Sequence, residues 1–189
     1  MFTTERPMNF NAGPAALPLA VLERCREELL NFDGTGLSVM EHSHRGASYE
    51  RAHRQTTARL RSLLDIPDGS GADGYDVLYI QGGASHQFAM VPLNLLPSGS
   101  SASYVVTGAW GERAVAEAAA IAATGGGDAR TVANTVPRKD DDAPRRLPRL
   151  GEARSSAYDS YLHLTTNETI DGVQFATAPG AAMPDFGPA

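Results

Sequence analysis

Several chemistries are closed to this chain by what it lacks. It has one cysteine, Cys25, in 189 residues, so an internal disulfide and a cysteine-based metal cluster are both excluded. Its only lysine is Lys139, and the other fifteen of its sixteen basic residues are arginine. A reaction carried by a lysine amine within these residues must therefore use Lys139. No apolar run reaches the length of a membrane span, and Met1–Phe10 has no apolar signal-peptide segment. Sixteen basic residues stand against 22 acidic ones, a formal net charge of −6, which argues against nucleic acid as the default partner. These absences point to a protein of a reducing, cytoplasmic compartment with no membrane partner.

What is present points to a folded α/β chain. Apolar residues make up 42% and charged residues 20%, a composition that can bury a core. Met1–Pro14 reads as an irregular arm rich in turn residues. Pro18 suits the first turn of a helix, with Val21, Leu22, Cys25 and Leu29 on its apolar face. That face makes Cys25 a core residue and not a nucleophile. A second helix is predicted over Ser48–Leu64, burying Tyr49, Ala52, Thr56, Leu60, Leu63 and Leu64. Beyond it strands alternate with helices: strands at 76–80, 103–107, 131–136, 161–165 and 173–177, and helices at 85–96 and 111–123. Alternation of this kind implies right-handed crossovers and a largely parallel sheet. The expected fold is α/β, an incomplete three-layer arrangement of a parallel sheet with flanking helices. Residues 124–157, with Asp140–Asp142 and several arginines, read as a solvated excursion holding one strand.

Four places carry candidate chemistry. Gln81-Gly82-Gly83-Ala84-Ser85 turns from a predicted strand into a helix. Free N–H groups and the helix dipole there suit a phosphate, and an ordinary turn with a Ser85 N-cap is the alternative. Trp110 follows the next strand at its carboxyl end, where open α/β sheets bind ligands. Its indole either stacks on a planar ring or packs in the core. In His42-Ser43-His44-Arg45-Gly46 the arginine suits a carboxylate or phosphate, or satisfies backbone carbonyls, and no ligand set for a metal accompanies the histidines. Thr165–Gly172 is either a polar binding edge or an Asx turn ending in Asp-Gly.

Taken in order, the segments 9–15, 34–46 and 81–88, Trp110, and Asn167-Glu168-Thr169-Ile170-Asp171-Gly172 closely resemble the phosphoserine aminotransferase family. That family has the fold-type I architecture of pyridoxal-phosphate enzymes, and the resemblance implies the large domain of that fold. Residues 1–47 are then arm, helix and substrate loop, and 48–189 a partial cofactor-binding large domain with the small C-terminal domain absent. The resemblance implies that Ala84 and Ser85 hold the phosphate of pyridoxal 5'-phosphate. It implies that Trp110 stacks on the pyridine ring and that Thr169 hydrogen-bonds the cofactor. Arg45, with His44 beside it, is implied to bind the anionic substrate. Some members carry a second anion-binding arginine where this chain has Ser85.

The implied reaction passes glutamate's amino group to 3-phosphohydroxypyruvate, a phosphorylated 2-oxo acid, in serine biosynthesis. The family is homodimeric. Its ring-nitrogen aspartate and its cofactor-bonding lysine fall beyond Ala189, and Lys139 is no substitute in its charged segment. No catalytic residue is therefore assigned, and these 189 residues alone are expected to be inactive. The alternative expectation is a non-catalytic binding or dimerisation remnant of the same family.

Overall fold

The computed structural model describes residues 6–69, 74–138, 140–149 and 151–175. Lys139, the end of the 173–177 strand and the tail from Ala178 lie outside the described residues. The chain forms two compact units, Met1–Tyr79 and Ile80–Ala189.

In the first unit, α1 (Leu19–Glu28) begins one residue after Pro18, which takes the N-cap position in place of the first helical one. Its end is braced by an Arg24–Glu28 pair at 2.8 Å, one helical turn apart. Two short 3₁₀ turns, Phe32–Gly34 and Val39–Glu41, lead to α2 (Ala47–Leu63). Both predicted apolar faces need correction. Val21, Leu22 and Leu29 of the α1 stripe are exposed, and so is Cys25. On α2, Tyr49, Ala52 and Leu60 are half-buried, while Thr56, Leu63 and Leu64 face solvent. Periodicity makes a face suitable for burial, but burial requires a surface to pack against.

The second unit is organised around β1 (Ser101–Val106), the central strand of a parallel sheet ordered β2-β1-β3. Its neighbours are β2 (Asp128–Asn134) and β3 (Asp159–Leu164), both parallel to it. The residues of β1 after Ser101 are all buried, as expected of a strand covered on both faces. On one face Ala102 and Tyr104 pack with Ala114, Ala118 and Ala122 of α4 (Ala109–Gly125), and Phe88 of α3 (Gly83–Leu95) joins them. On the other, Val105 packs with Ala153 and Phe175. Asp159 ties the amino ends of the strands together. Its carboxylate accepts from Ser101 Oγ at 2.6 Å, from Ser103 Oγ, from Ser156 N–H at 2.8 Å and from Arg130 on β2.

Two predicted strands come out differently. Asp76–Ile80 is not a strand: it is mostly exposed coil with no strand paired to it among the described residues. An apolar run becomes a strand only where a neighbour takes its backbone hydrogen bonds. Val173–Gln174 does form a strand, β5, but it pairs antiparallel with β4 (Asn167–Glu168) and not within the parallel sheet. Residues 168–173 close that small hairpin through Gly172 N–H to Glu168 O at 2.8 Å, with Gly172 at φ +70°.

Candidate functional site

The two helices of the second unit share an anchor at their C-terminal ends. Gly99 N–H, just past α3, donates to Gly126 O at 2.8 Å, and Leu96 packs where a Cβ on Gly127 would sit. Both helices therefore run back so that their N-termini open at the carboxyl ends of the strands. A parallel α/β sheet offers its ligand site at that end.

Those two N-termini are chemically different. At α3 the chain turns through Gly82 (φ +101°) and Gly83 (φ +60°), both in the left-handed region where glycine is favoured. A Cβ on Gly82 would strike the His86 ring, whose Nδ1 lies 3.1 Å from Gln81 O. Among the described residues no side chain caps this helix, and Ala84 and Ser85 are exposed in its first turn. Ser85 is thus not the N-cap residue; Gly82 is. The result is an open anion seat of backbone N–H groups with a hydroxyl beside it.

At α4 the corresponding seat is filled by the chain itself. Glu168, fully buried, accepts from Trp110 N–H and from Gly111 N–H, each at 2.8 Å, with Thr107 Oγ1 3.5 Å away. Asp171 accepts from Ala109 N–H at 2.6 Å and pairs with Arg145 at 3.0 Å. Gly108 makes this possible, because a Cβ there would overlap the Asp171 carboxylate and lie 2.8 Å from Glu168 Cδ. Among the described residues no carboxylate caps α3 in this way.

Trp110 stands on the first turn of α4, partly buried. Its Nε1–H donates to Thr169 Oγ1 at 2.9 Å. Thr169 accepts that bond and keeps its own hydroxyl hydrogen to donate. The structure thus joins two of the sequence-derived candidates directly, Trp110 and Thr169, while Ala84 and Ser85 stand on the first turn of α3. Thr165, at the end of β3, adds a buried hydroxyl without a partner among the described residues.

Glu168, Asp171 and Gly108 escaped the sequence reading as site-building residues. Only their place in the Asn-Glu-Thr-Ile-Asp-Gly run and after a strand hinted at them. Each acts on a residue about sixty positions away, and no local pattern encodes such a contact.

His44 and Arg45 belong to the first unit, exposed in the loop before α2. The loop is held by its own residues. Ser38 N–H donates to Glu41 at 2.8 Å, Thr35 Oγ1 lies 3.0 Å from His42 Nε2, and Arg45 N–H donates to Ser43 Oγ at 3.2 Å. Glu41 and His42 are thereby committed to loop structure. The Arg45 guanidinium has no carboxylate partner among the described residues, which leaves it available to an anion. His44 lines a cavity of about 350 Å³ with Tyr49, Glu50, His53 and Arg54.

Comparison with known proteins gives these features relatives. The aminotransferase class-V family profile matches residues 8–179. The phosphoserine aminotransferase of Niallia circulans is 48% identical over 176 residues, 93% of this chain and 45% of its own length. That of Geobacillus kaustophilus is 47% identical over 180 residues, 95% of this chain and 46% of its own. The pyridoxal-phosphate-bound phosphoserine aminotransferase of Trichomonas vaginalis superposes with a TM-score of 0.78 at 34% identity, over 94% of this chain and 49% of that one. The chain thus spans about 45% of the length of the curated relatives it matches. By its sequence, the chain belongs to the aminotransferase class-V family.

Proposed function

We propose that the chain is the cofactor-binding portion of a phosphoserine aminotransferase that uses pyridoxal 5'-phosphate. The observation that supports the reading is the indole of Trp110 fixed by Thr169 at the start of α4, beside which α3 offers an N-terminus with no side-chain cap at Ala84 and Ser85. The residues fit such a group. The α3 seat offers N–H donors and a hydroxyl to a phosphate, and its neighbour at α4 is already taken by carboxylates. Trp110 presents a flat apolar ring, and Thr169 retains a donor beside it. When bound, pyridoxal phosphate supplies an electron sink for chemistry at an amino acid's α-carbon.

In this reading the protein's own groups orient and neutralise. Ala84 and Ser85 hold the phosphate, Trp110 limits tilt of the ring and excludes water from one face, and Thr169 donates its hydroxyl hydrogen. Arg45, with His44, receives the anionic groups of glutamate and 3-phosphohydroxypyruvate, since a guanidinium engages two oxygens at once. Residues 1–47 supply this substrate loop and 48–189 the cofactor-binding part. The complete protein works as a cytoplasmic homodimer in serine biosynthesis.

The test uses the chain as it is and completed with the C-terminal half of the Niallia circulans relative. Trp110 is the only tryptophan, so its fluorescence reports on the site. Saturable quenching by pyridoxal phosphate is expected, and the completed chain should form O-phosphoserine from glutamate and 3-phosphohydroxypyruvate. Absence of quenching overturns the cofactor reading, and preference for another 2-oxo acid overturns the substrate. Binding without turnover in the completed chain would mark a non-catalytic binding or dimerisation remnant.

A further inference from the structure

Trp110 is gripped at its backbone and at its ring by two consecutive residues. Glu168 receives its main-chain N–H at 2.8 Å, and Thr169 receives its indole Nε1–H at 2.9 Å. Both partners sit on one short hairpin, β4–β5. The backbone position and the ring orientation therefore share a single base. Turning the indole breaks the Thr169 bond, and shifting the helix start breaks the Glu168 bonds.

Glu168 is an unusual choice for a helix cap. It is 0% exposed, and a carboxylate is withdrawn from water only at a cost. A serine or aspartate at position 108 would cap the same helix locally. The chain instead has Gly108, and it brings a carboxylate from the far hairpin into the space that glycine vacates. Both carboxylate oxygens are used: Oε2 by Trp110, Oε1 by Gly111, with Thr107 3.5 Å from Oε1. A local cap would satisfy the helix equally well, but it would not tie Trp110 to the hairpin that carries Thr169.

We propose that Glu168 is a positioning residue that fixes the indole of Trp110 for the cofactor ring. Its relevance to the ring rests on the cofactor reading proposed above. The clamp itself is measurable without any cofactor, because Trp110 is the sole tryptophan. Acrylamide quenching and fluorescence anisotropy of the chain are compared for wild type, Glu168→Gln and Asp171→Asn, all without denaturant. Pyridoxal phosphate is then titrated into each.

Glu168→Gln keeps the shape but sets an NH₂ group against a backbone N–H. It is expected to raise acrylamide quenching, lower anisotropy and weaken pyridoxal phosphate about tenfold. Asp171→Asn disturbs the same helix at Ala109 without touching the Trp110 amide and keeps an oxygen to accept the Ala109 N–H, so it should alter indole quenching much less than Glu168→Gln. Unaltered quenching in Glu168→Gln overturns the proposal, whatever happens to stability. Equal effects from the two variants overturn it too, since they would mark general fraying of the helix. If Glu168→Gln does not fold, Glu168→Asp, which keeps the charge and shortens its reach by one methylene, is read by the same criterion. A wild-type chain that ignores pyridoxal phosphate sinks the cofactor reading, while the indole measurement still decides the clamp.

Discussion

At Gly108 the site tolerates a hydrogen and nothing larger. Its backbone is extended (φ −176°), so the constraint is space and not conformation. A Cβ would meet the Asp171 carboxylate and the Glu168 stem together. Gly108→Ala should cost about 1–3 kcal/mol, read as a lower urea midpoint; an unchanged midpoint would show that the clamp has slack. Asp159 makes a different prediction. Burial pushes its carboxyl up, but the Ser101 and Ser103 hydroxyls, Ser156 N–H and Arg130 outweigh burial and hold it at about 2, against an ordinary 3.8. A carboxyl depressed by folding stabilises the native state above its unfolded pKa, and that contribution is lost as pH falls through the folded one. With its side chain only 2% exposed, Asp159 should contribute about 2 kcal/mol at neutral pH, lost between about pH 4 and pH 2. Asp159→Asn should flatten that part of the stability–pH curve in urea titrations, and a curve as steep as wild type would refute the assignment.

Among the elements, α3 and α4 run the same way yet differ in what their N-termini can accept. The α4 terminus is neutralised by Glu168 and Asp171, whereas the α3 terminus has no side-chain cap among the described residues. Ser85→Asp separates helix stability from ligand binding. A carboxylate in the first turn of α3 should stabilise the helix by about 0.3–1 kcal/mol, seen as a higher urea midpoint. The same charge should repel a phosphate and weaken pyridoxal phosphate at least about tenfold. If both stability and affinity rise, the phosphate seat lies elsewhere. The hairpin 167–174 matters for the same reason: it is two residues wide on each side, too small to be stable by pairing alone. Its place depends on Glu168 and Asp171 against α4 and on Phe175 in the core.

For the molecule as a whole, burial is uneven between the units. Neither α1 nor α2 has a fully buried residue, whereas β1 and α4 supply most of the core. Hydrogen exchange should mirror this division. Amides of β1 and α4 should be the slowest, and those of α1 and α2 should exchange through much smaller openings. Equal protection across both units would contradict the prediction. Leu19, Val21, Leu29, Leu30, Leu63 and Leu64 are all exposed, more apolar side chain than a soluble monomer ordinarily leaves bare. The isolated chain should therefore self-associate in sedimentation experiments, and a monodisperse monomer would count against it.

The sequence by itself determined most of the helices, the three strands of the parallel sheet and the family. Glycines after an apolar run marked the turn at 82–83, strand–helix alternation marked β1 and α4, and the ordered motifs marked the family. Such signals are local, because capping, turn geometry and periodicity act within a few residues. Tertiary structure decided the rest. It left Asp76–Ile80 without a pairing neighbour among the described residues, exposed the Cys25 face, and set Glu168 and Thr169 on Trp110 across about sixty residues of chain. Strand pairing, burial and the carboxylate clamp each need a second surface, and the partner in such a contact is chosen by the packing of the fold and not by neighbouring residues in the chain.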